Sequence, residues 1–280
     1  MMLSIITINF NNAFGLRNTL ESVFRQTICD FEYIVIDGNS TDGSKEVISQ
    51  YNNEHILPFK WISESDNGIY QAMNKGIRLA QGEYVQFLNS GDLLVDSNVT
   101  SKMLARLLIN NTEKIEILYG NMLKQMPKYK VCDRSFAGRI PTMLDFYTGS
   151  LNHSSAYIQR QLFDRYGFYD ESLKIVSDWK WYLQVIGLNN IIPVYVDIDV
   201  SVFDMNGISN SNSKLDKSER KQVLEELLPL SVLSDYDRWS FAIYQLKRIN
   251  NYKILSKSFY LLERTLFKFE KWFRNKGQLL

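Results

Sequence analysis

The sequence predicts an α/β protein with a Rossmann-like, mostly parallel central sheet flanked by helices and followed by a C-terminal helical extension. Three observations predict it. Apolar runs of about five to eight residues recur, too short for helices, and end in small polar residues or a carboxylate. Between them lie amphipathic stretches of about ten to fifteen residues, with apolar positions three and four apart. Their alternation is the pattern of right-handed βαβ crossovers.

Leu3–Phe10 is a β-branched run broken by Asn11 and Asn12, a first strand opening into a loop. Leu16, Leu20, Val23 and Phe24 then share a helix face, with Arg17, Glu21 and Arg25 opposite. Tyr33–Asp37 is a second buried strand, and Gly38–Gly43 lead into a helix through Val47, Ile48 and Tyr51. Phe59–Ser63 is a short third strand and Glu64–Gly68 a polar turn. Ile69, Met73, Ile77 and Ala80 mark a helix that Gly82 ends. Tyr84–Leu88 gives a fourth strand, buried on both faces. A helix is expected over Ser97–Asn110 and a strand over Ile115–Tyr119; then the alternation fades. Met122–Val131 reads as a hairpin arm and Phe136–Leu151 as an irregular segment walling a pocket. Asn152–Ile158 reads as a strand with a polar head, Arg160–Tyr166 as a short helix and Gly167–Glu171 as a turn. A helix opens at Asp178, and Ile191–Val196 and Val200–Phe203 return as strands.

The chain of 280 residues, 45% hydrophobic, can bury one large core with an appendage. A formal net charge of +1 provides no global field for a nucleic acid. No G-x-G-x-x-G follows the first strand and no Walker-type loop is present, which removes the main support for dinucleotide and P-loop readings. Cys29 and Cys132 are too few for a disulfide framework, as expected for a reducing compartment. The first ten residues show no signal peptide and no apolar run reaches about 18 residues, so a cytoplasmic protein is expected. The Lys/Asn/Ser-rich stretch Ser209–Ser218 suggests a boundary. The expected organisation is residues 1–209 as one domain, in halves 1–96 and 97–209, and 210–280 as the helical extension. Tyr236–Lys276 carries ten Lys or Arg against three acids, with aromatic residues interleaved. On amphipathic helices that mixture fits an anionic membrane interface, at the inner face of the cell membrane; packing on the main domain is the alternative.

Chemistry is expected where the fourth strand stops, because open α/β sheets place ligands beyond the carboxyl ends of their strands. Asn89 and Ser90 offer hydrogen bonds there, Gly91 permits close backbone approach, and Asp92 either holds a hard cation or caps the next helix.

Four motifs, in this order, resemble the family-2 glycosyltransferases of GT-A fold, specifically bacterial enzymes that build O-antigen or capsular polysaccharide. They are Ser4–Asn11, Val35–Gly43, Ala72–Gly76 and Gly82–Asp92. The resemblance covers residues 3–209. It implies an inverting transfer of a sugar from a nucleotide donor, a UDP-sugar, to a hydroxyl of a lipid-linked saccharide, with Mg²⁺ or Mn²⁺ as cofactor. Thr7, Phe10 and Asn11 would line the nucleotide pocket, with Phe10 against the base. Asp37 and Asn39 would meet the nucleoside, Asp66 is a nucleotide contact or a helix cap, and Asn74 would border the donor phosphates beside Asn89 and Ser90. Asp178 matches the general base, with a helix-start acid as the alternative. His153 is a candidate contact to phosphate, metal or acceptor, and Trp179 either stacks on acceptor sugar or fills core. The chain departs from the family pattern in two places. Gly38 stands where a second acid is commoner, and Asn89-Ser90-Gly91 replaces the Asp-x-Asp metal motif, leaving Asp92 as the lone carboxylate. One acid can still anchor Mg²⁺, which keeps several waters and takes other ligands from the diphosphate. A nucleotidyltransferase and a catalytically silent partner of another transferase are the rival readings.

Overall fold

A computed structural model describes residues 1–28, 30–54, 58–109, 114–205, 212–250 and 252–275. The chain divides into two compact units, Met1–Val223 and Leu224–Leu280. The boundary expected at residue 209, like Cys29 and His55, lies outside the described residues.

The first unit opens with the alternation that the periodicity predicts: β1 (Leu3–Asn9), α1 (Ala13–Phe24), β2 (Phe31–Asp37), α2 (Ser44–Glu54), β3 (Phe59–Ser63), α3 (Ile69–Leu79) and β4 (Tyr84–Phe87). These four strands form a parallel block in the order β3-β2-β1-β4. β1, β2 and β4 are buried at every position, so their apolar runs are continuous. One face packs Leu3 and Ile5 with Tyr33 and Val35 of β2 and Leu16, Leu20 and Val23 of α1. On the other side α3 lies so close to β1 that a Cβ on Gly76 would overlap the Ile6 side chain.

Past β4 the sheet becomes mixed. β5 (Leu93–Leu94), α4 (Val99–Ile109), β6 (Ile117–Gln125), β7 (Lys130–Asp133), α5 (Met143–Thr148), β8 (Ala156–Gln159), α6 (Gln161–Tyr166), α7 (Ser177–Tyr182) and β9 (Val194–Phe203) follow. The order continues β4-β8-β6-β9-β5, with β8 antiparallel to both β4 and β6, and β7 closing the expected hairpin on β6. Three details differ from expectation. The segment expected to be irregular contains α5, nucleated by a capping box in which the Thr142 hydroxyl and the Asp145 carboxylate satisfy each other's backbone N–H groups. The polar head before β8 is a 3₁₀ turn, His153–Ser155. The two expected return strands are one, β9, whose pairing with β6 shifts register on either side of Asn121; that irregularity breaks the alternation seen in sequence.

α8 (Ser213–Leu227) carries the end of the first unit. In the second unit, α9 (Leu230–Asn250) precedes α10 (Lys253–Asn275). Along α10, Leu255, Phe259, Leu262, Leu266 and Phe269 recur at alternating spacings of four and three and are exposed; Lys257, Arg264, Lys268 and Lys271 fall on the opposite face. No helix among the described residues is long and apolar enough to cross a membrane.

Candidate active site

The carboxyl ends of β1, β2 and β4 converge. Asn9, the last residue of β1, donates from Nδ2 to Asp37 Oδ1 at 2.8 Å across the strand pair. Asp37 is fully buried, and its two oxygens also accept from the Ser40 backbone N–H (3.0 Å), the Ser40 hydroxyl (2.5 Å) and the Ser63 hydroxyl (2.6 Å). Burial opposes its charge, but these hydrogen bonds outweigh burial and hold the carboxyl below the ordinary range. Asp37 therefore builds the Gly38–Asp42 turn, each of its oxygens accepting two hydrogen bonds from protein donors. Asn11 N donates to Ser40 Oγ and Asn11 Oδ1 accepts from Thr41 N, which stitches the β1 loop to that turn. Asn39 sits exposed at its tip, with φ of 62°.

Phe10 is 67% exposed, unusual for its size. Its ring borders Gly38, whose other neighbour is Asp66: a Cβ on Gly38 would lie 3.1 Å from Phe10 Cδ2 and 3.5 Å from Asp66 Oδ2. Lys75 neutralises Asp66 through Oδ1, while Asp66 Oδ2 is buried without a hydrogen-bond partner. Glu64 also pairs with Lys75, at 2.7 Å. An open ring, a bare backbone and an unused carboxylate oxygen thus share one spot.

At the end of β4, Asn12 binds the Ser90 carbonyl, Ser90 Oγ donates back to the Asn12 carbonyl at 3.2 Å, and Gly91 N donates to Thr19 Oγ1 at 2.9 Å. Asp92 is 3% exposed; Oδ1 accepts from Asp204 N at 2.9 Å and Oδ2 has no partner. Burial pushes its carboxyl up to about 7 and Asp204 adds to the effect, against an opposing pull from His153 and backbone donors. Gly91, at φ of 104°, leaves room for Asp204: a Cβ there would lie 2.7 Å from its Oδ2.

His153 joins this corner to Asp178. Its Nδ1 is 3.1 Å from Asp178 Oδ2 and its Nε2 3.4 Å from Asn89 Nδ2. The Tyr70 hydroxyl of α3 lies 2.9 Å from Asp178 Oδ1 and also within reach of the Ile175 carbonyl. Both members of the His–Asp pair keep an opening, with side chains 19% and 18% exposed. Burial works against both charges, but the mutual hydrogen bond and attraction raise the His153 pKa and lower that of Asp178. Burial and the Asp178 charge keep Tyr70 protonated, hence a donor.

Three expected site residues are enclosed and bonded to protein partners, each for a local reason. Thr7 is fully buried, its hydroxyl bonded to the Leu88 carbonyl and 2.9 Å from the Tyr33 hydroxyl, because every position of β1 is enclosed. Asn74 uses its amide on the Tyr169 backbone and Glu171, locking α3 to the turn before α7. Trp179 is 1% exposed, with Nε1 on the Phe146 carbonyl and Arg220 over its ring, so it is core. Sequence reasoning missed Tyr70 and Asp204. Tyr70 stands one residue after the expected helix start and is the one with a local signal.

The glycosyl transferase family 2 model matches residues 4–116. A glycosyltransferase of Mycobacterium tuberculosis is 30% identical over 211 residues, 74% of this chain and 76% of its own. The chain belongs to glycosyl transferase family 2. A PGL/p-HBAD biosynthesis glycosyltransferase of Mycobacterium bovis is 25% identical over 214 residues, 75% of this chain and 80% of the relative. Among solved structures, TarS of S. aureus in complex with UDP-GlcNAc superposes with a TM-score of 0.65 at 22% identity, over 80% of this glycosyltransferase and 64% of the TarS chain. A mannosyltransferase of Pyrobaculum calidifontis in complex with GDP-Man and Mn²⁺ gives 0.55 at 18% identity, over 72% and 56% of the two chains. The fold of this glycosyltransferase is GT-A.

Proposed function

We propose that this glycosyltransferase transfers a sugar, with inversion, from a UDP-sugar to a hydroxyl of a lipid-linked oligosaccharide in O-antigen or capsule synthesis. The single observation that carries the reading is the hydrogen-bonded run Tyr70–Asp178–His153–Asn89, which puts a carboxylate base beside the loop that ends in Asp92. An inverting transfer needs one base on the acceptor side, opposite the leaving diphosphate. Asp178 is ionised at neutral pH, and one of the four lone-pair sites of its carboxylate remains for the acceptor hydroxyl after Tyr70, His153 and the Trp179 backbone N–H are served. It takes the proton as that hydroxyl attacks the anomeric carbon. Tyr70 and His153 keep the carboxylate aimed. The exposed Phe10 ring, Gly38 and the unused Asp66 oxygen suit a nucleobase that offers an imide N–H, as uracil does. UDP-GlcNAc in the TarS complex supports a uridine donor.

The residues present also fit a divalent cation. Asp92 Oδ2 is buried without a partner, and Asp204 brings a second carboxylate to the same corner. Among the described residues no three His, Cys, Asp or Glu side chains form a metal cage, so diphosphate oxygens and water would complete the ligand set of Mg²⁺ or Mn²⁺. The ion, when bound, offsets charge developing on the diphosphate. A cytoplasmic location at the inner membrane face is supported by α10, whose exposed apolar face lies opposite its basic stripe.

A thermal-shift screen of nucleotide sugars with and without Mn²⁺ tests the donor, followed by nucleoside diphosphate release on adding a lipid-linked acceptor. Stabilisation by a UDP-sugar and acceptor-dependent UDP release are expected. Pyrophosphate release would identify a nucleotidyltransferase, and binding without release a silent partner; either overturns the reading.

A further inference from the structure

Asp178 stands in the first turn of α7, which runs on as a π-helix over Leu183–Leu188. The segment before it is held from an unexpected place. Glu219, on α8 and 7% exposed, accepts the backbone N–H groups of three consecutive residues, Lys174 (2.7 Å), Ile175 (2.9 Å) and Val176 (3.3 Å). Ile175 and Val176 are buried, so without Glu219 these N–H groups would face a substantial desolvation cost. The Ile175 carbonyl in turn meets the Tyr70 hydroxyl that also reaches Asp178. On the far side of Asp178, the next residue of α8 acts again: Arg220, held by Asp216 at 3.2 Å, lies 4.4 Å from the ring centre of Trp179. The middle of α8 thus holds the backbone of Lys174–Val176 before the base and the Trp179 ring after it, and Val223, fully buried, anchors the helix in the core.

We infer that Glu219 is a positioning residue for glycosyl transfer: its carboxylate fixes the backbone of Lys174–Val176 and thereby the aim of the Asp178 carboxylate. The inference rests on Asp178 being the base. A carboxylate suits the task because it alone among side chains offers four lone pairs and a charge to three N–H groups from one point. Glu219 touches no reacting atom in this arrangement. Its partners lie 43 to 45 residues away in sequence, but one layer of hydrogen bonds joins them to it.

The chain has only two histidines, His55 and His153, so ring NMR signals assign with a single His55→Gln control. His153 reports directly on the place of Asp178, its hydrogen-bond partner; Asn89 and the charge of Asp92 are the other groups that face it. In metal-free protein, Glu219→Ala is expected to lower the His153 titration midpoint by about half a unit or more, since the Asp178 charge moves away. With an identified UDP-sugar it should lower kcat by about tenfold and leave the donor KM within about twofold. Glu219→Gln keeps one acceptor oxygen and should recover part of both losses. A His153 midpoint and kcat unchanged in a cooperatively folded Glu219→Ala protein overturn the inference, even if its melting temperature falls. If Glu219→Ala does not fold, Glu219→Asp, one methylene shorter, is judged by the same two readouts. Asp178→Asn separates this from the reaction itself: if it lowers the His153 midpoint but leaves turnover intact, Asp178 is not the base, whatever Glu219 does.

Discussion

Replacing Asp178 by Asn removes a proton acceptor while leaving the shape of the site in place. Asp178 Oδ1 is 2.9 Å from the Tyr70 hydroxyl and Oδ2 is 3.1 Å from His153 Nδ1. An Asn can keep its oxygen toward Tyr70 and turn its NH₂ to the ring, whose proton moves to Nε2. The Asn89 amide, 3.4 Å from Nε2, can then turn its own oxygen to meet that proton. The Tyr70 hydroxyl and the His153 ring proton each still find an acceptor. The cost to stability is that of making a charge-assisted hydrogen bond neutral, about 1 kcal/mol. Catalysis has no such accommodation, because an amide cannot take the acceptor's proton. The expected loss of kcat is about 10²–10⁴-fold, or about 3–5 kcal/mol of transition-state stabilisation. The assay is UDP release with a lipid-linked acceptor, run beside calorimetric UDP binding and urea unfolding. UDP affinity within about twofold of wild type is expected. Turnover within about threefold of wild type, with UDP bound and the fold intact, refutes Asp178 as the base.

Asp92→Asn should weaken Mn²⁺ binding in the presence of UDP by at least about tenfold, read from the free-ion EPR signal; an unchanged signal removes Asp92 from any cation site. Asp37→Asn places one NH₂ against a pair of donors in either orientation. A Ser hydroxyl can rotate to accept, but Asn9 Nδ2 or Ser40 N cannot, so about 1–3 kcal/mol of stability should be lost in urea unfolding. The His153–Asp178 pair makes stability pH-dependent in two directions. The raised His153 contributes fully below its unfolded value of 6.5 and loses that as pH rises through its folded value; the lowered Asp178 contributes above 3.8 and loses that as pH falls. The stability difference between wild type and His153→Gln should therefore be larger near pH 5.5 than near pH 8.5, and a flat difference would show that the pair is not coupled in solution. Changing Lys257, Arg264, Lys268 and Lys271 together to Gln should weaken flotation with phosphatidylglycerol vesicles by about a thousandfold, from about 1 kcal/mol per basic residue at an anionic surface. Equal flotation of both proteins would leave α10 without that role.

The sequence alone determined the strands and helices of the parallel block, though not their order β3-β2-β1-β4, because each is written in a local period of hydrophobicity that neighbours a few residues away complete. It also singled out candidates for the chemistry, Asn89-Ser90-Gly91-Asp92 and Asp37 at strand ends and Asp178 at a helix start. The facing of individual side chains lay beyond it. Thr7 sits on a strand enclosed on both sides, so no alternation tells which residue turns toward a ligand. Asn74 and Trp179 have partners 95 and 33 residues away, and no local pattern encodes such a distance. His153 becomes the link between Asp178 and Asn89 only when β8 enters the sheet antiparallel beside β4. Asp204 and Glu219 reach the site because β9 and α8 return the chain to it, from segments whose sequence reads as an ordinary strand end and a charged, solvated helix. Periodicity is a property of neighbours in the chain; a reacting constellation is a property of neighbours in space, and here only the crossing of β4, β8, β9 and α7 brings the two together.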